Sequence, residues 1–171
     1  MGAGAAGGVL AESGGVSRID YLNEPNAPRA TGIRVAVSAV VRDQGGRILM
    51  IRRADNDKYA IPGGGQDVGE TLAAAVVREV EEETGIRVEV TGLVGLYSNP
   101  AHVIAYDDGE VRQEFSICFR ARPLGGDLRT SDESTEVLWA EPTDLDDLDI
   151  HPSIRLRIVH GLIDDRAPYF T

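Results

Sequence analysis

Residues 64–86 read GGQDVGETLAAAVVREVEEETGI and form the most informative segment of the chain. It starts in a run of glycines after Pro62, which cannot continue a strand or begin a helix and which allows positive φ angles. Apolar side chains then recur on one helical face between residues 72 and 80, so the pattern predicts an amphipathic helix over roughly residues 70–84. Gly85 stands where a left-handed residue favours the end of a helix. The stretch therefore predicts a glycine loop that leads directly into a helix.

Three glutamates near the end of the predicted helix carry the chemical information. Glu79, Glu82 and Glu83 are spaced i, i+3 and i+4, so they share one side of the helix. They repel one another by about 0.2–0.5 kcal/mol per pair, and the helix dipole disfavours negative charge at this end. A hard divalent cation would relieve this conflict, and Mg2+ or Mn2+ accepts carboxylate, water and phosphate oxygens. Taken alone, the cluster would favour an exposed acidic face, but the fixed spacing of the residues around it favours a metal site.

The fixed positions of this stretch resemble the signature of the Nudix hydrolases, G-x5-E-x7-R-E-U-x-E-E-x-G-U, in which U is apolar. Every specified position agrees, including Glu70, Arg78 and Ile86. The resemblance covers roughly residues 32–165 and includes Val137-Leu138-Trp139 after the helix. It implies an α/β fold, the Nudix α/β/α sandwich with a mixed sheet.

The resemblance also implies an activity and a set of residues. Nudix enzymes hydrolyse a nucleoside diphosphate linked to another group: water attacks one phosphorus atom, and a divalent cation, Mg2+ or Mn2+, neutralises the phosphate oxygens. Arg78 is expected to orient a glutamate, with Glu70 as the candidate, through a charge-assisted hydrogen bond. The expected metal ligands are Glu82 and Glu83, with Glu79 and the carbonyl of Gly64 as further candidates.

The resemblance leaves the general base open, because some members use a glutamate of the signature and others a glutamate from a later loop or strand. Glu114 and Glu110 are the later candidates, and Glu114 adjoins an apolar strand from which it could face the cleft. A solvated carboxylate at the end of a strand is an equally valid interpretation of Glu114. The expected catalytic residues are Glu79, Glu82, Arg78 and Glu114.

Substrate-binding candidates precede the glycine loop. Arg52 and Arg53 end a predicted strand, and consecutive strand residues point to opposite faces, so at most one of them should reach a phosphate. Tyr59 stands just before the proline and glycines, where it is expected to be a core or rim aromatic that could contact the substrate.

Apolar periodicity predicts the other elements. Strands are expected at residues 33–41 and 47–53, joined as a hairpin, and at 87–97, 111–121 and 136–140, followed by a helical turn at 144–148 and a closing helix at 153–162. Residues 18–31 contain two prolines and are expected to be irregular. We expect residues 18–171 to form a single domain and the Gly- and Ala-rich residues 1–17 to form a disordered leader.

Composition limits the partners of the chain. The formal charge of −11 over 171 residues opposes binding to nucleic acid, although bound cations would still allow a small phosphorylated substrate. No apolar run approaches the length of a membrane span, and the only cysteine, Cys118, lies in an apolar run where a buried thiol is expected. We therefore expect a cytoplasmic protein with a small nucleotide-type substrate and no membrane partner; the resemblance is also compatible with a homodimer.

The choice of substrate is the least determined prediction. Pro100 lies fourteen residues beyond Ile86, close to but not at the position where the family's ADP-ribose pyrophosphatases carry a proline, so ADP-ribose or a nucleotide sugar is favoured. Oxidised or plain nucleoside triphosphates are the alternative. A nucleotide-sensing module without catalysis is a further alternative, opposed by the complete set of glutamates. An isopentenyl diphosphate isomerase ranks last, because Cys118 does not resemble its catalytic cysteine.

Overall fold

The computed structural model describes residues 18–164 and 167–171, so the predicted leader, residues 1–17, lies outside the described residues. Ten strands, two α-helices and a 3-10 helix at Pro142–Asp147 follow one another along these residues. The strands and α-helices are β1 (Arg18–Leu22), β2 (Gly32–Val41), β3 (Ile48–Arg53), β4 (Tyr59–Ala60), β5 (Gly63–Gly65), α1 (Leu72–Thr84), β6 (Ile86–Tyr97), β7 (His102–Tyr106), β8 (Val111–Gly126), β9 (Ser134–Ala140), α2 (Pro152–Leu162) and β10 (Tyr169–Phe170).

The strands form two sheets. The larger, mixed sheet has the order β1-β7-β8-β2-β5, with β2 and β8 parallel and the other neighbours on this path antiparallel. The long strand β8 pairs along one edge first with β7 and then with β6, which in turn pairs with β10. The smaller sheet has the order β4-β3-β9. The glycine strand β5 is thereby fixed on the edge of β2, next to the helix that follows it.

Two apolar clusters lie on opposite sides of these sheets. The α1 cluster includes Val76 and Val80, which pack against Val37 of β2, whereas the α2 cluster joins Ile158 to Val40 of the same strand. Val37 and Val40 of β2 thus face opposite sides of the sheet, as expected for alternating side chains in a strand. The arrangement confirms the predicted α/β/α sandwich with a mixed sheet. Among the described residues, neither α-helix is long and apolar enough to cross a membrane.

The predicted hairpin between the first two apolar strands is wrong. β2 lies between β8 and β5 in the larger sheet, whereas β3 lies between β4 and β9 in the smaller one. Only a single bridge, Arg42 to Ile48, joins their ends. Each of these buried strands has a neighbouring strand on both edges in its own sheet. A short connection between two such strands does not require that they pair with each other.

The expectation of irregular structure over residues 18–31 is also partly wrong, because residues 18–22 form β1. This strand pairs with β7, which the sequence pattern did not indicate, with Asp20 opposite Ile104. The charged residues of β1 hide the apolar alternation on which strand prediction depends. The strand predicted at 111–121 also extends further, to Gly126, because it pairs with β6 over its whole second half.

Candidate active site

A cleft of about 1200 Å³ runs from the glycine strand β5 across one face of the larger sheet. Its walls come from the segment after β3 and from the first half of α2. Alternating residues of β1, β7 and β8 form its floor together with residues 34–38 of β2, so polar side chains take positions where a covered sheet would normally be apolar. The polar floor residues include Arg18, Asp20, His102, Arg112, Glu114 and Ser116.

Arg78 of α1 holds together the glutamates beside the glycine loop. Three of these glutamates line a smaller pocket that adjoins the cleft, and we call this region the acidic end of the cleft. Its Nε and Nη2 donate to the two carboxylate oxygens of Glu70, at 2.7 and 2.9 Å, which is the hydrogen bond that the sequence predicted. Its Nη1 donates to Glu79 at 2.9 Å and to Glu82 at 3.0 Å. The hydrogen bonds from Arg78 lower the pKa of Glu70 to about 2, so this carboxylate stays charged. One guanidinium thus positions three glutamates of the signature.

Glu83 has the most unusual environment of the acidic residues. Its side chain lies under the glycine loop, where Oε2 accepts a hydrogen bond from Gly63 N–H at 2.8 Å. Its Oε1 is buried and has no hydrogen-bond partner among the described residues. Burial raises the pKa of Glu83 to about 8, against the lowering effect of that hydrogen bond and of Arg53. A buried carboxylate oxygen without a partner is costly and requires an explanation.

Gly64 lies against the neighbouring glutamate of the helix. A Cβ atom at this position would lie 2.5 Å from the Cδ atom of Glu79, so any residue larger than glycine would displace the Glu79 carboxylate. Burial raises the pKa of Glu79, as it does for Glu83. The main chain of the glycine strand and the carboxylates of α1 are therefore in direct contact, as a shared cation site requires.

The donors at this end of the cleft fit a hard divalent cation. They are carboxyl and carbonyl oxygens. Oε1 of Glu83, which has no hydrogen-bond partner among the described residues, is an oxygen that a cation would satisfy in exchange for the Glu83 proton. Within residues 18–164 and 167–171, no three acidic, histidine or cysteine side chains are already arranged to hold a metal ion. Arg78 explains this, because it draws the carboxylates of Glu79 and Glu82 to itself. A cation would compete with Arg78 for both groups.

A loop that the sequence analysis missed lies beside these glutamates. Asp132 and Glu133 line a smaller pocket of about 200 Å³ together with the three clustered glutamates of α1. The loop is tied to the helix, because Ser134 Oγ donates to the carbonyl of Glu83 at 3.1 Å, and to the end of β3, because Ala54 N–H donates to the carbonyl of Glu133 at 2.9 Å. The sequence signal would have been an acidic segment immediately before the strand that carries Trp139.

The structure separates Glu114 and Glu110 from this acidic end. Glu114 lies on the cleft floor and faces Arg157 of α2, with Oε1 3.5 Å from Nη2, and both side chains are nearly buried. Glu110 forms an exposed ion pair with Arg34 at 3.1 Å. Glu133, not Glu114, is therefore the later glutamate that lies next to the signature glutamates.

The predicted substrate-binding residues are divided between the cleft and its outer surface. Arg53 lines the cleft, where Asp55 holds its guanidinium through two hydrogen bonds of 2.9 and 2.7 Å. Arg52 points away and pairs with Asp57 at 2.6 Å. Tyr59 lines the cleft, and its hydroxyl donates to Glu136 at 2.6 Å. The two arginines thus lie on opposite faces of β3, as strand geometry requires.

The chain is similar to known proteins in sequence and in fold. A family model described as NUDIX domain matches residues 32–160. The chain is 41% identical over 126 residues to a MutT-like protein of Streptomyces ambofaciens, covering 73% of this chain and 75% of that protein. It is 38% identical over 122 residues to an ADP-ribose pyrophosphatase of Methanocaldococcus jannaschii, covering 67% of this chain and 63% of that protein. A solved NUDIX hydrolase from Nitrosomonas europaea superposes with a TM-score of 0.65 at 24% identity, over 95% of each chain.

Proposed function

Because the chain belongs to the Nudix family and is a Nudix pyrophosphohydrolase, we propose that it hydrolyses the diphosphate bond of a nucleoside diphosphate linked to a second moiety, with Mg2+ or Mn2+ as its cation. The single observation that supports the metal part of this proposal is Oε1 of Glu83, which is buried beside Glu79 and Glu82 and has no hydrogen-bond partner in the part of the chain that the structure describes.

The carboxylates of α1 and the glycine loop would hold the cation. Glu82 and Glu83 are the chief candidates, with Glu79 and the carbonyl of Gly64 beside them. When bound, the cation would supply positive charge to the phosphate oxygens during the displacement. Arg78 keeps the glutamates in position and is not itself a ligand, since a guanidinium has no acceptor.

The attacking water needs a group that takes its proton. Glu133 is our candidate, because its loop is bound to α1 and lines the same small pocket as the signature glutamates. One of those glutamates is the alternative base. Glu114 is less suited to the proton transfer, because it faces Arg157 on the cleft floor. We place Glu114 among the residues that contact the substrate, with Arg53 and Tyr59.

The favoured substrate is ADP-ribose or a nucleotide sugar. The relative from Methanocaldococcus jannaschii, which is named an ADP-ribose pyrophosphatase, supports this choice, as does a cleft that is polar far beyond the acidic end. Pro100 adds no support, because it lies in the turn between β6 and β7 and does not line the cleft. The second candidate is a plain or oxidised nucleoside triphosphate, which is supported by a relative at 28% identity that is named a nucleoside triphosphatase.

A substrate panel tests the proposal. Wild-type protein and Glu82→Gln would be incubated with Mg2+ or Mn2+ and with ADP-ribose, nucleotide sugars, diadenosine polyphosphates, and plain and oxidised nucleoside triphosphates, and the products separated. We expect metal-dependent turnover of a diphosphate-linked sugar and its loss in the variant. Turnover confined to triphosphates would select the second candidate. Turnover that Glu82→Gln retains would contradict the assigned site.

A further inference from the structure

The part of the cleft that is lined by β1, β7 and the start of α2 contains a buried polar network. Arg18 Nη2 lies 3.0 Å from Asp20 Oδ2, and Asp20 Oδ1 lies 3.3 Å from His102 Nε2. The side chains of Asp20 and His102 are only 12% and 8% exposed. The ring of His151 stacks on that of His102 at 5.8 Å. We call these four residues the β1 network.

Strand β1 directs its charged side chains into the cleft and an apolar side chain outward, which is the reverse of the usual burial pattern. Arg18 and Asp20 face the cleft, whereas Ile19 between them is 56% exposed on the outer face. A strand selected for stability alone would bury the isoleucine and leave the charges in water. Burying charged groups costs free energy even when they are paired, so this orientation points to a ligand.

The hydrogen-bonding capacity of the network is not exhausted by its own contacts. Arg18 Nε is buried and has no hydrogen-bond partner among the described residues, although it lies 3.5 Å from Asp55 Oδ2 in an ion pair. Asp20 stays ionised, because its bonds to His102 and the charge of Arg18 outweigh burial and lower its pKa to about 2. Nδ1 of His151 accepts from Ser153 N–H at 3.3 Å, and burial lowers the pKa of this ring, so the neutral form carries its proton on Nε2. The network therefore offers donors and an anionic acceptor side by side.

These groups fit hydroxyls better than a nucleobase. A hydroxyl both donates and accepts, so neighbouring sugar hydroxyls can bind a carboxylate and an arginine together. A base would need a free aromatic face, but one face of each of His102 and His151 is covered by the other ring, and Arg112 lies over the ring of Tyr106 at 4.6 Å. The charges of Arg18 and Arg53 are balanced by those of Asp20 and Asp55, which suits a neutral polyol more than a second phosphate.

We propose that the β1 network is a subsite for the hydroxyl groups of a sugar on the far side of the scissile diphosphate. This inference rests on the proposed function, because the diphosphate is placed at the glycine loop. It assigns a role in specificity to Arg18 and Asp20, which precede the region matched by the family model, and to His102 and His151 within that region. None of the four residues lines the small pocket of the α1 glutamates, so the network would select the moiety without taking part in the displacement.

The test compares the two products of ADP-ribose hydrolysis, AMP and ribose 5-phosphate, as ligands. Their binding to the full chain with Mg2+ would be measured by calorimetry, and ADP-ribose turnover would be measured in parallel. The variants are Asp20→Asn, which keeps the shape, and His151→Asn, which keeps a side chain able to cap α2. Glu89→Gln is the control, since Glu89 pairs with Arg122 outside the cleft.

We expect Asp20→Asn to weaken ribose 5-phosphate binding about tenfold or more, as the loss of a hydrogen bond to a charged group predicts, and to raise KM for ADP-ribose. AMP binding and the control should not change. Unchanged ribose 5-phosphate binding in both folded variants, or a loss confined to AMP, would overturn the inference. Absence of turnover with every substrate, with product binding as expected, would instead count against the proposed hydrolysis alone.

Discussion

Oε2 of Glu83 accepts a hydrogen bond from the main-chain N–H of Gly63 at 2.8 Å, while Oε1 is buried and has no hydrogen-bond partner within residues 18–164 and 167–171. The glycine loop thus holds one oxygen of this carboxylate and leaves the other to a ligand. The pKa of Glu83, about 8 against an ordinary 4.5, expresses the cost of keeping a charge there. The protonation of Glu83 should therefore make both the stability of the fold and the affinity for a metal ion depend on pH.

The first prediction is a pH dependence of the metal-free protein. The folded state binds the Glu83 proton more tightly than the unfolded state, so its contribution to stability is complete below pH 4.5 and is lost as pH rises towards about 8. Relative to Glu83→Gln, the wild-type Tm should therefore fall by several degrees between pH 5 and pH 8. Thermal melts in chelator would measure this, and parallel Tm curves for the two proteins would contradict it.

Metal binding should show the converse dependence. A cation that binds Glu83 must displace its proton, so Mg2+ affinity should rise with pH by about tenfold per unit until pH reaches the raised pKa. Calorimetry in buffers of different ionisation enthalpy should detect about one proton released per cation at pH 6–7. Glu83→Gln should abolish this release together with most of the affinity. Proton release unchanged in the variant would place the cation elsewhere.

Arg78 should be poorly replaced by lysine. Arg78→Lys keeps the charge but not the paired hydrogen bonds to Glu70, and outer contacts of this kind typically cost about 10- to 100-fold in activity or metal affinity. We expect a fall in kcat of that size with little change in Tm. Arg122→Lys is the matched control, since Arg122 also pairs with a glutamate but lies outside the cleft. Equal kcat values for the two variants would show that Arg78 does not position the glutamates for the reaction.

Glu133 and Glu114 can be separated by kinetics. Removing a general base typically costs about 10²- to 10⁴-fold, so Glu133→Gln should lower kcat by that order and remove the acidic limb of the pH profile. Glu114→Gln should instead raise KM and lower Tm, because it leaves the buried Arg157 without its partner. A large kcat loss confined to Glu114→Gln would reverse our assignment and restore the interpretation drawn from the sequence.

The acidic end of the cleft was accessible from the sequence because its residues are local. Glycine loop, helix and carboxylates lie within residues 64–86, and Gly85 ends α1 with a φ of 77°. The rest depends on contacts between distant segments. Glu133 reaches the helix only through the pairing of β9 with β3, and Asp20 reaches His102 only because β1 pairs with β7. The apolar periodicity of one segment carries no information about neighbours from a distant segment. Charged residues on a buried strand face also depart from the apolar pattern by which strands are predicted.

The last prediction concerns the glycine that contacts Glu79. A Cβ at Gly64 would lie 2.5 Å from the Cδ of Glu79, the far end of a flexible side chain, so Gly64→Ala should displace the carboxylate without unfolding the protein. Gly65→Ala is the matched control, because a Cβ there meets nothing within 4 Å. We expect Gly64→Ala to lower kcat and Mg2+ affinity by at least about tenfold, the range for a disturbed metal site, while Tm stays close to that of Gly65→Ala. Equal activity of the two variants would show that the position of Glu79 does not matter for the reaction, and a large Tm loss in Gly64→Ala alone would assign this glycine to folding rather than to the site.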